Sequence, residues 1–253
     1  MRIGLEVRCL GQNRRGFEHY TRNLLAALKE LNTAHEFILY SDHAPADAAA
    51  LPFPLRVIPK CCHTLWWLNR QLPAAAAADR VDLMHFTANE VWLPRATPAA
   101  VTFHDAGTML NPGTYAAGRK ARLYFRLLRH LLRRADGIVT VSAAAQRDIS
   151  RFLELDPARI AVTYEGIDAR YFTPVADAAV TELRARLKLP PRFVLFVSAL
   201  DRRKNILGAV TAMLAAQRAV PAPLPLVVAG ETLSGAGARY LSPDAIRRET
   251  GCG

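Results

Sequence analysis

Cysteine is scarce. Cys9, Cys61, Cys62 and Cys252 are the 4 in 253 residues, and no two are spaced as a CxxC pair. Adjacent cysteines rarely bridge, so a disulfide framework and a zinc site are both excluded, and a reducing cytoplasm is the simple reading. Acidic residues are few beside basic ones: 22 Asp and Glu against 33 Lys and Arg leave a net charge of +11. That balance suits nucleic acid, an anionic membrane surface or a phosphorylated substrate, and does not choose among them. Long apolar runs are missing as well. "LPAAAAADRVDLM" meets charge well short of the roughly 18 residues a spanning helix needs, so no membrane-crossing segment is expected. "MRIGLEVRCLGQ" is too short and too interrupted by charge to read as a secretion signal.

What is present is the composition of a folded protein. Hydrophobic residues make up 51%, aromatics 8%, and mean hydropathy is +0.06. A chain of this length can bury the core of one large or two medium domains.

Short apolar runs alternate with helical patterns. Strands are predicted at 2–7, 36–41, 55–59, 81–86, 99–103, 137–141 and 159–164. Helices are predicted at 18–31, 63–73, 116–135 and 143–153, the last with Ser142 as N-cap. The alternation predicts an α/β fold, a doubly wound and mostly parallel sheet with helices on both faces. Periodicity lapses over "GIDARYFTPVAD" and then restarts with a helix at 178–187, "FVLFVSA", a helix near 206–218 and "LPLVVAG". The expected organisation is a first domain over 1–172, a linker over 173–190 and a second domain over 191–253. The second has roughly 65 residues and two clear strands, where such a domain usually needs about 100 or more, so it reads as incomplete.

The segment "VSALDRRKNI" (197–206) sets Arg202, Arg203 and Lys204 side by side between a strand and a helix. Like charges so close repel by several tenths of a kcal/mol each. A solvated turn is one reading; a waiting anion is the other. A parallel sheet places ligands beyond the carboxyl ends of its strands, and Gly16, His104, Asp105, Arg203 and Lys204 all follow predicted strands. Gly16 fits an ordinary turn or a close backbone approach to phosphate. His104 fits a satisfied core histidine or a site residue. Asp105 fits a turn cap or a support for His104.

Five ordered segments resemble the family-4 retaining glycosyltransferases of the GT-B fold: "GFEHYTRNLLAAL", "TFHDAG", "RRADGIVTVSAAAQRDI", "VTYEGIDARYF" and "VSALDRRKNI". The resemblance runs to about Glu231. It implies a GT-B architecture, with a second, incomplete Rossmann-like domain. It also implies hexose transfer from a nucleotide diphosphate sugar to a glycan or lipid-linked acceptor, with retention and without a metal or other cofactor. By the same resemblance His104 contacts the donor sugar, while Gly16, Arg203 and Lys204 receive the diphosphate across a cleft. Glu18 stands where relatives have a small residue and would repel that diphosphate unless it turns to an acceptor hydroxyl. Ser198 and Ala199 replace a usual glycine and a frequently polar neighbour.

Complete relatives carry a paired-glutamate motif that grips ribose and sugar, and no segment after Glu231 resembles it. The motif is expected beyond Gly253, and this polypeptide alone is expected to bind donor more weakly than about 100 μM and to turn over little or not at all. Two alternatives stand beside the enzyme: a non-catalytic acceptor-binding or membrane-surface module, and a truncated gene product without function.

"RKARLYFRLLRHLLRR" (119–134) has seven Lys or Arg and no acid. Leu123, Tyr124, Leu127, Leu128 and Leu131 form one stripe, expected to face the core. Arg119, Arg122, Arg126, Arg129 and Arg133 form another, a candidate contact for an anionic bilayer at about 1 kcal/mol per cation. A cytoplasmic protein, peripheral at the inner membrane face, is the corresponding expectation. Nucleic acid is not expected, for want of stacking aromatics or a binding motif. The exposed edge of a half-built sheet invites self-association.

Overall fold

In the computed structural model the chain divides into two units, Met1–Ala169 and Arg170–Gly253. The structure describes residues 1–12, 15–90, 97–110, 119–230 and 240–252. In the first unit the short apolar runs become β1 (Arg2–Glu6), β2 (Glu36–Ser41), β3 (Leu55–Val57), β4 (Leu83–Phe86), β5 (Ala99–Thr102), β6 (Gly137–Thr140) and β7 (Ile160–Val162). Their order is β3-β2-β1-β4-β5-β6-β7, and each neighbouring pair is parallel. The chain winds outward from β1 to β3, returns to the other side of β1, and winds outward again to β7. That reversal opens a crevice beyond the carboxyl ends of β1 and β4.

The helices of this unit are α1 (Arg15–Glu30), α2 (Thr64–Trp66), α3 (Leu72–Ala78), α4 (Gly107–Leu110), α5 (Arg119–Leu132) and α6 (Ala143–Leu153). A π-helical stretch, Trp67–Gln71, joins α2 to α3. The helix expected over 63–73 therefore runs on to Ala78. Ser142 caps α6 as its position suggests, its Oγ accepting from the Ala145 N–H at 3.1 Å. Trp67, Leu72, Met84, Phe86, Phe103 and Leu132 are fully enclosed in the main core. The Trp67 indole N–H donates to the Ile58 carbonyl at 2.7 Å, so this large ring is buried without an orphaned donor.

The leucine stripe of α5 divides in two. Leu128, Leu131 and Leu132 enter the core, but Leu123, Tyr124 and Leu127 are 69%, 48% and 42% exposed. The expectation that the whole stripe faces inward is thus corrected. Only the carboxyl half of α5 enters the core, where Leu128, Leu131 and Leu132 join the main cluster. The side chains of Arg119 and Arg122 lie outside the described residues.

The second unit contains α7 (Asp177–Arg186), β8 (Val194–Val197), α8 (Ile206–Ala219), β9 (Leu226–Ala229) and α9 (Pro243–Thr250). β8 and β9 pair in parallel. Leu200, Ile206, Val210, Leu241 and Ile246 make its small core, which borders an open cavity of about 520 Å³. Gly230 ends β9 against the β8 backbone: a Cβ there would lie 1.7 Å from the Ser198 carbonyl oxygen. No side chain can move aside to relieve that contact. Gly230→Ala is expected to destabilise the second unit by about 1–3 kcal/mol or more, read as a lowered midpoint in thermal unfolding of the whole chain.

Candidate functional site

Because all seven strands of the first unit run the same way, the residues following them share one edge. At the crevice between β1 and β4, Glu6 and Arg8 are both buried. Arg8 Nε donates to Glu6 Oε1 at 2.7 Å and the Arg8 backbone N–H to the same oxygen at 3.0 Å. The other end of the guanidinium, Nη2, binds Glu90, and its carbon lies 4.8 Å from the centre of the Trp67 ring. Burial pushes the Glu6 carboxyl up, and the Arg8 charge only partly offsets it. Beside this group, Thr87 Oγ1 donates to the Glu6 carbonyl at 2.9 Å and accepts from Thr21 Oγ1 at 2.9 Å. Glu6, Arg8 and Glu90 went unremarked in the sequence. A Glu-x-Arg at the end of an apolar strand was the available signal, and only the placement of β4 beside β1 shows that the charges are buried together.

His104 stands two residues beyond β5, on the same edge. Its ring lies between Phe17 and Tyr20, with centroids at 4.8 Å and 4.6 Å and both contacts edge-on. Nε2 donates to the Thr87 carbonyl at 2.9 Å, and the backbone N–H donates to Asn89 Oδ1 at 2.7 Å. These bonds fix the tautomer and orientation, since a carbonyl can only accept. Nδ1 is left to face outward, 3.7 Å from Glu165 Oε1, and that carboxylate is half exposed. With Nε2 donating to Thr87, the ring can offer Nδ1 to a hydroxyl as an acceptor. Glu165 was also missed, because it comes from the loop after β7 and reaches His104 only through the fold.

Below His104 a polar ladder continues: Tyr20 Oη lies 3.1 Å from Thr102 Oγ1, which lies 2.8 Å from His85 Nε2. Burial, with the nearby His104 adding to it, pushes the His85 pKa from an ordinary 6.5 down to about 4. The folded form keeps His85 neutral while the unfolded chain takes up its proton as pH falls. Its contribution is present in full above about pH 6.5 and declines as pH falls towards about 4. The first unit is expected to lose about 3 kcal/mol from this group between pH 7 and pH 4. Urea midpoints across that range, compared between the wild type and His85→Gln, isolate it: the variant should lose correspondingly less.

Gly16 lies in the first turn of α1 and is exposed, and a Cβ there would meet nothing within 4 Å. Glu18 turns back towards the β1–α1 loop. Its Oε1 accepts from the Gly11 N–H at 3.1 Å and from Arg22 at 3.1 Å and 2.9 Å, while Arg22 also binds Asp47. Partial burial raises the Glu18 carboxyl, and the Gly11 N–H with the Arg22 guanidinium outweigh that, holding it below the usual range. Its charge is thereby compensated from within the protein. Asp105 Oδ1 accepts from the Gly107 N–H at 3.1 Å, closing the turn that opens α4. His104 is held by Thr87 and Asn89.

In the second unit, Arg202–Lys204 form one 3₁₀ turn between β8 and α8. Asp201, almost fully buried, starts the turn by accepting from the Arg203 N–H at 2.9 Å. Asn205 sits in the left-handed region at φ 56° and caps α8, its Oδ1 accepting from the Gly208 N–H at 3.2 Å. Arg202 is exposed and pairs at the surface with Glu249 of α9, Nη1 to Oε2 at 2.9 Å. Arg203 is exposed, with Asp201 Oδ2 3.7 Å from its Nε, and Lys204 is exposed with no ion pair among the described residues. Both cations thus stand just before the capped start of α8.

Among the described residues no group of three His, Cys, Asp or Glu is placed to hold a metal ion, and no helix is long and apolar enough to cross a membrane.

The fold is shared with known proteins. The Anabaena protein Alr3699/HepE, solved in complex with UDP, superposes with a TM-score of 0.65 at 16% identity, over 99% of this chain and 66% of that one. Its complex with UDP-glucose gives 0.62 at 17%, over 99% and 65%. A glycosyltransferase from Rickettsia africae gives 0.55 at 14%, over 98% and 70%. The chain thus spans about two thirds of the length of these structures, and the likeness is one of GT-B fold. No match was found among curated proteins. The model of Glycosyltransferase Family 4 matches residues 14–171, more than half of the chain, and the chain belongs to that family.

Proposed function

We propose that the protein transfers a hexose from a nucleotide diphosphate sugar to a glycan or lipid-linked acceptor, retaining the anomeric configuration. The observation that carries this reading is the turn after β8, where Arg203 and Lys204 stand exposed beside the capped start of α8. In the transfer the bond from the anomeric carbon to the phosphate oxygen breaks, and its electron pair leaves with the diphosphate. An acceptor oxygen bonds to the same carbon, and its proton passes to the departing diphosphate. Negative charge grows on the leaving group, and each well-placed donor there is worth roughly 3 kcal/mol in the transition state. Arg203, Lys204 and the N–H groups opening α8 supply such donors, with Gly16 leaving room for phosphate at α1. His104 meets the donor sugar through Nδ1. The buried Glu6–Arg8–Glu90 group fixes the shape of the crevice around it. HepE was solved with UDP and UDP-glucose, which supports a uridine diphosphate sugar as the first donor to try.

The work place of this enzyme is a membrane surface on the cytoplasmic side, with the protein held peripherally. The exposed Leu123, Tyr124 and Leu127 of α5, flanked by Arg126, favour it, since apolar side chains edged by cations suit the headgroup boundary. Exposed Leu195 and Val197 on β8 support self-association through the two-stranded sheet.

Transfer is tested by incubating the protein with α-linked nucleotide hexoses and a lipid-phosphate or oligosaccharide acceptor, and reading the product's anomeric proton by NMR. An α-linked product is expected. A β-linked product would contradict retention, and no product from any donor would favour a binding module.

A further inference from the structure

The opposite edge of the first unit's sheet carries a second concentration of positive charge. α5 ends at Leu132 just before β6 begins at Gly137, and α6 ends at Leu153 shortly before β7 begins at Ile160. Residues at these junctions lie at the amino ends of the strands, away from the edge that bears His104 and Gly16. There Arg126, Arg129, His130, Arg133, Arg134 and Arg159, with Leu155, line a groove of about 420 Å³. Glu154, held in the left-handed region at φ 53° as the C-cap of α6, reaches Arg129 and Arg133. Asp156 turns instead to cap the Ala158 N–H at 2.9 Å. Among the described residues Arg126, Arg134 and Arg159 make no ion pair.

Five guanidiniums around a shared concavity repel one another, and among the described residues Glu154 pairs with only two of them, Arg129 and Arg133. Planar guanidiniums match phosphate oxygens two bonds at a time, so several converging arginines suit an anion with many oxygens better than a lone carboxylate. We propose that this groove is a phosphate-binding site, separate from the donor site, for a doubly charged phosphate monoester or a pyrophosphate. The ligand reaches it as a lipid headgroup or as a free phosphate compound. The site stands on the geometry of the first unit alone and does not depend on the donor reading.

Calorimetric titration of the full chain with inorganic pyrophosphate at 0.15 M salt tests it, using a background of Arg203→Gln and Lys204→Gln to remove donor-site binding. Pyrophosphate is expected to bind in that background, and the further pair Arg126→Gln and Arg159→Gln should weaken it roughly tenfold or more. Removing those two arginines strands no carboxylate, and unchanged thermal unfolding confirms the fold. Co-sedimentation with vesicles of phosphatidic acid in phosphatidylcholine, against phosphatidylcholine alone, separates the sources. A headgroup ligand gives arginine-dependent binding to the phosphatidic acid vesicles. A soluble ligand gives arginine-dependent pyrophosphate binding with no preference between vesicles. Either result supports the site. Binding that ignores Arg126 and Arg159 in both arms, or no binding in either, overturns it, and leaves the donor reading untouched.

Discussion

Replacing Trp67 with alanine is expected to lower the stability of the first unit by about 3–5 kcal/mol. Trp67 is fully enclosed, lies in the π-helical stretch between α2 and α3, and packs with Leu72, Phe86 and Phe103 into one core. Its removal leaves a cavity the size of an indole and orphans the Ile58 carbonyl that accepts its N–H. It also strips the face against which the Arg8 guanidinium rests at 4.8 Å. A loss of that size is a large share of a domain's total stability. Denaturant unfolding followed by far-UV circular dichroism measures it, and Trp67→Phe, which keeps most of the volume, should recover more than half of the loss.

The second large effect falls on chemistry. In any preparation that transfers sugar, His104→Ala is expected to lower kcat/KM by roughly 100- to 1000-fold, the range for removing one positioned hydrogen-bonding group from a reacting centre. The structural cost should be small by comparison, because the His104 ring lies at the edge of the core between Phe17 and Tyr20. Glu165→Gln offers a finer reading of the same site. Glu165 Oε1 lies 3.7 Å from Nδ1 without touching the core, so this variant should lower kcat/KM less than His104→Ala does while the melting temperature stays put.

The sheet was legible in the sequence because parallel strands buried on both faces read as short apolar runs, and β1, β2, β4, β5 and β6 stand within about two residues of where those runs lie. The N-cap at Ser142 was equally legible, since a cap is a local matter of side chain and backbone. α5 was not. Leu123, Tyr124 and Leu127 have the same spacing as core leucines, and whether they are covered depends on how far the sheet extends beneath the helix. The candidate site divides along the same line. Gly16, His104, Arg203 and Lys204 follow strands and could be picked out one by one. Arg8 meets Glu90, 82 positions away, only once β4 lies beside β1, and Glu165 meets His104 only once β7 has joined the same sheet.

The charge at the turn after β8 is the point on which the functional reading rests. Calorimetric titration of the chain with a panel of nucleoside diphosphates, UDP first, addresses it directly when the wild type is compared with Arg203→Gln and Lys204→Gln. Binding by the wild type that weakens roughly tenfold or more in the double variant, with thermal unfolding unchanged, is the expected result. Equal affinity in both proteins would show that those two cations do not receive a diphosphate.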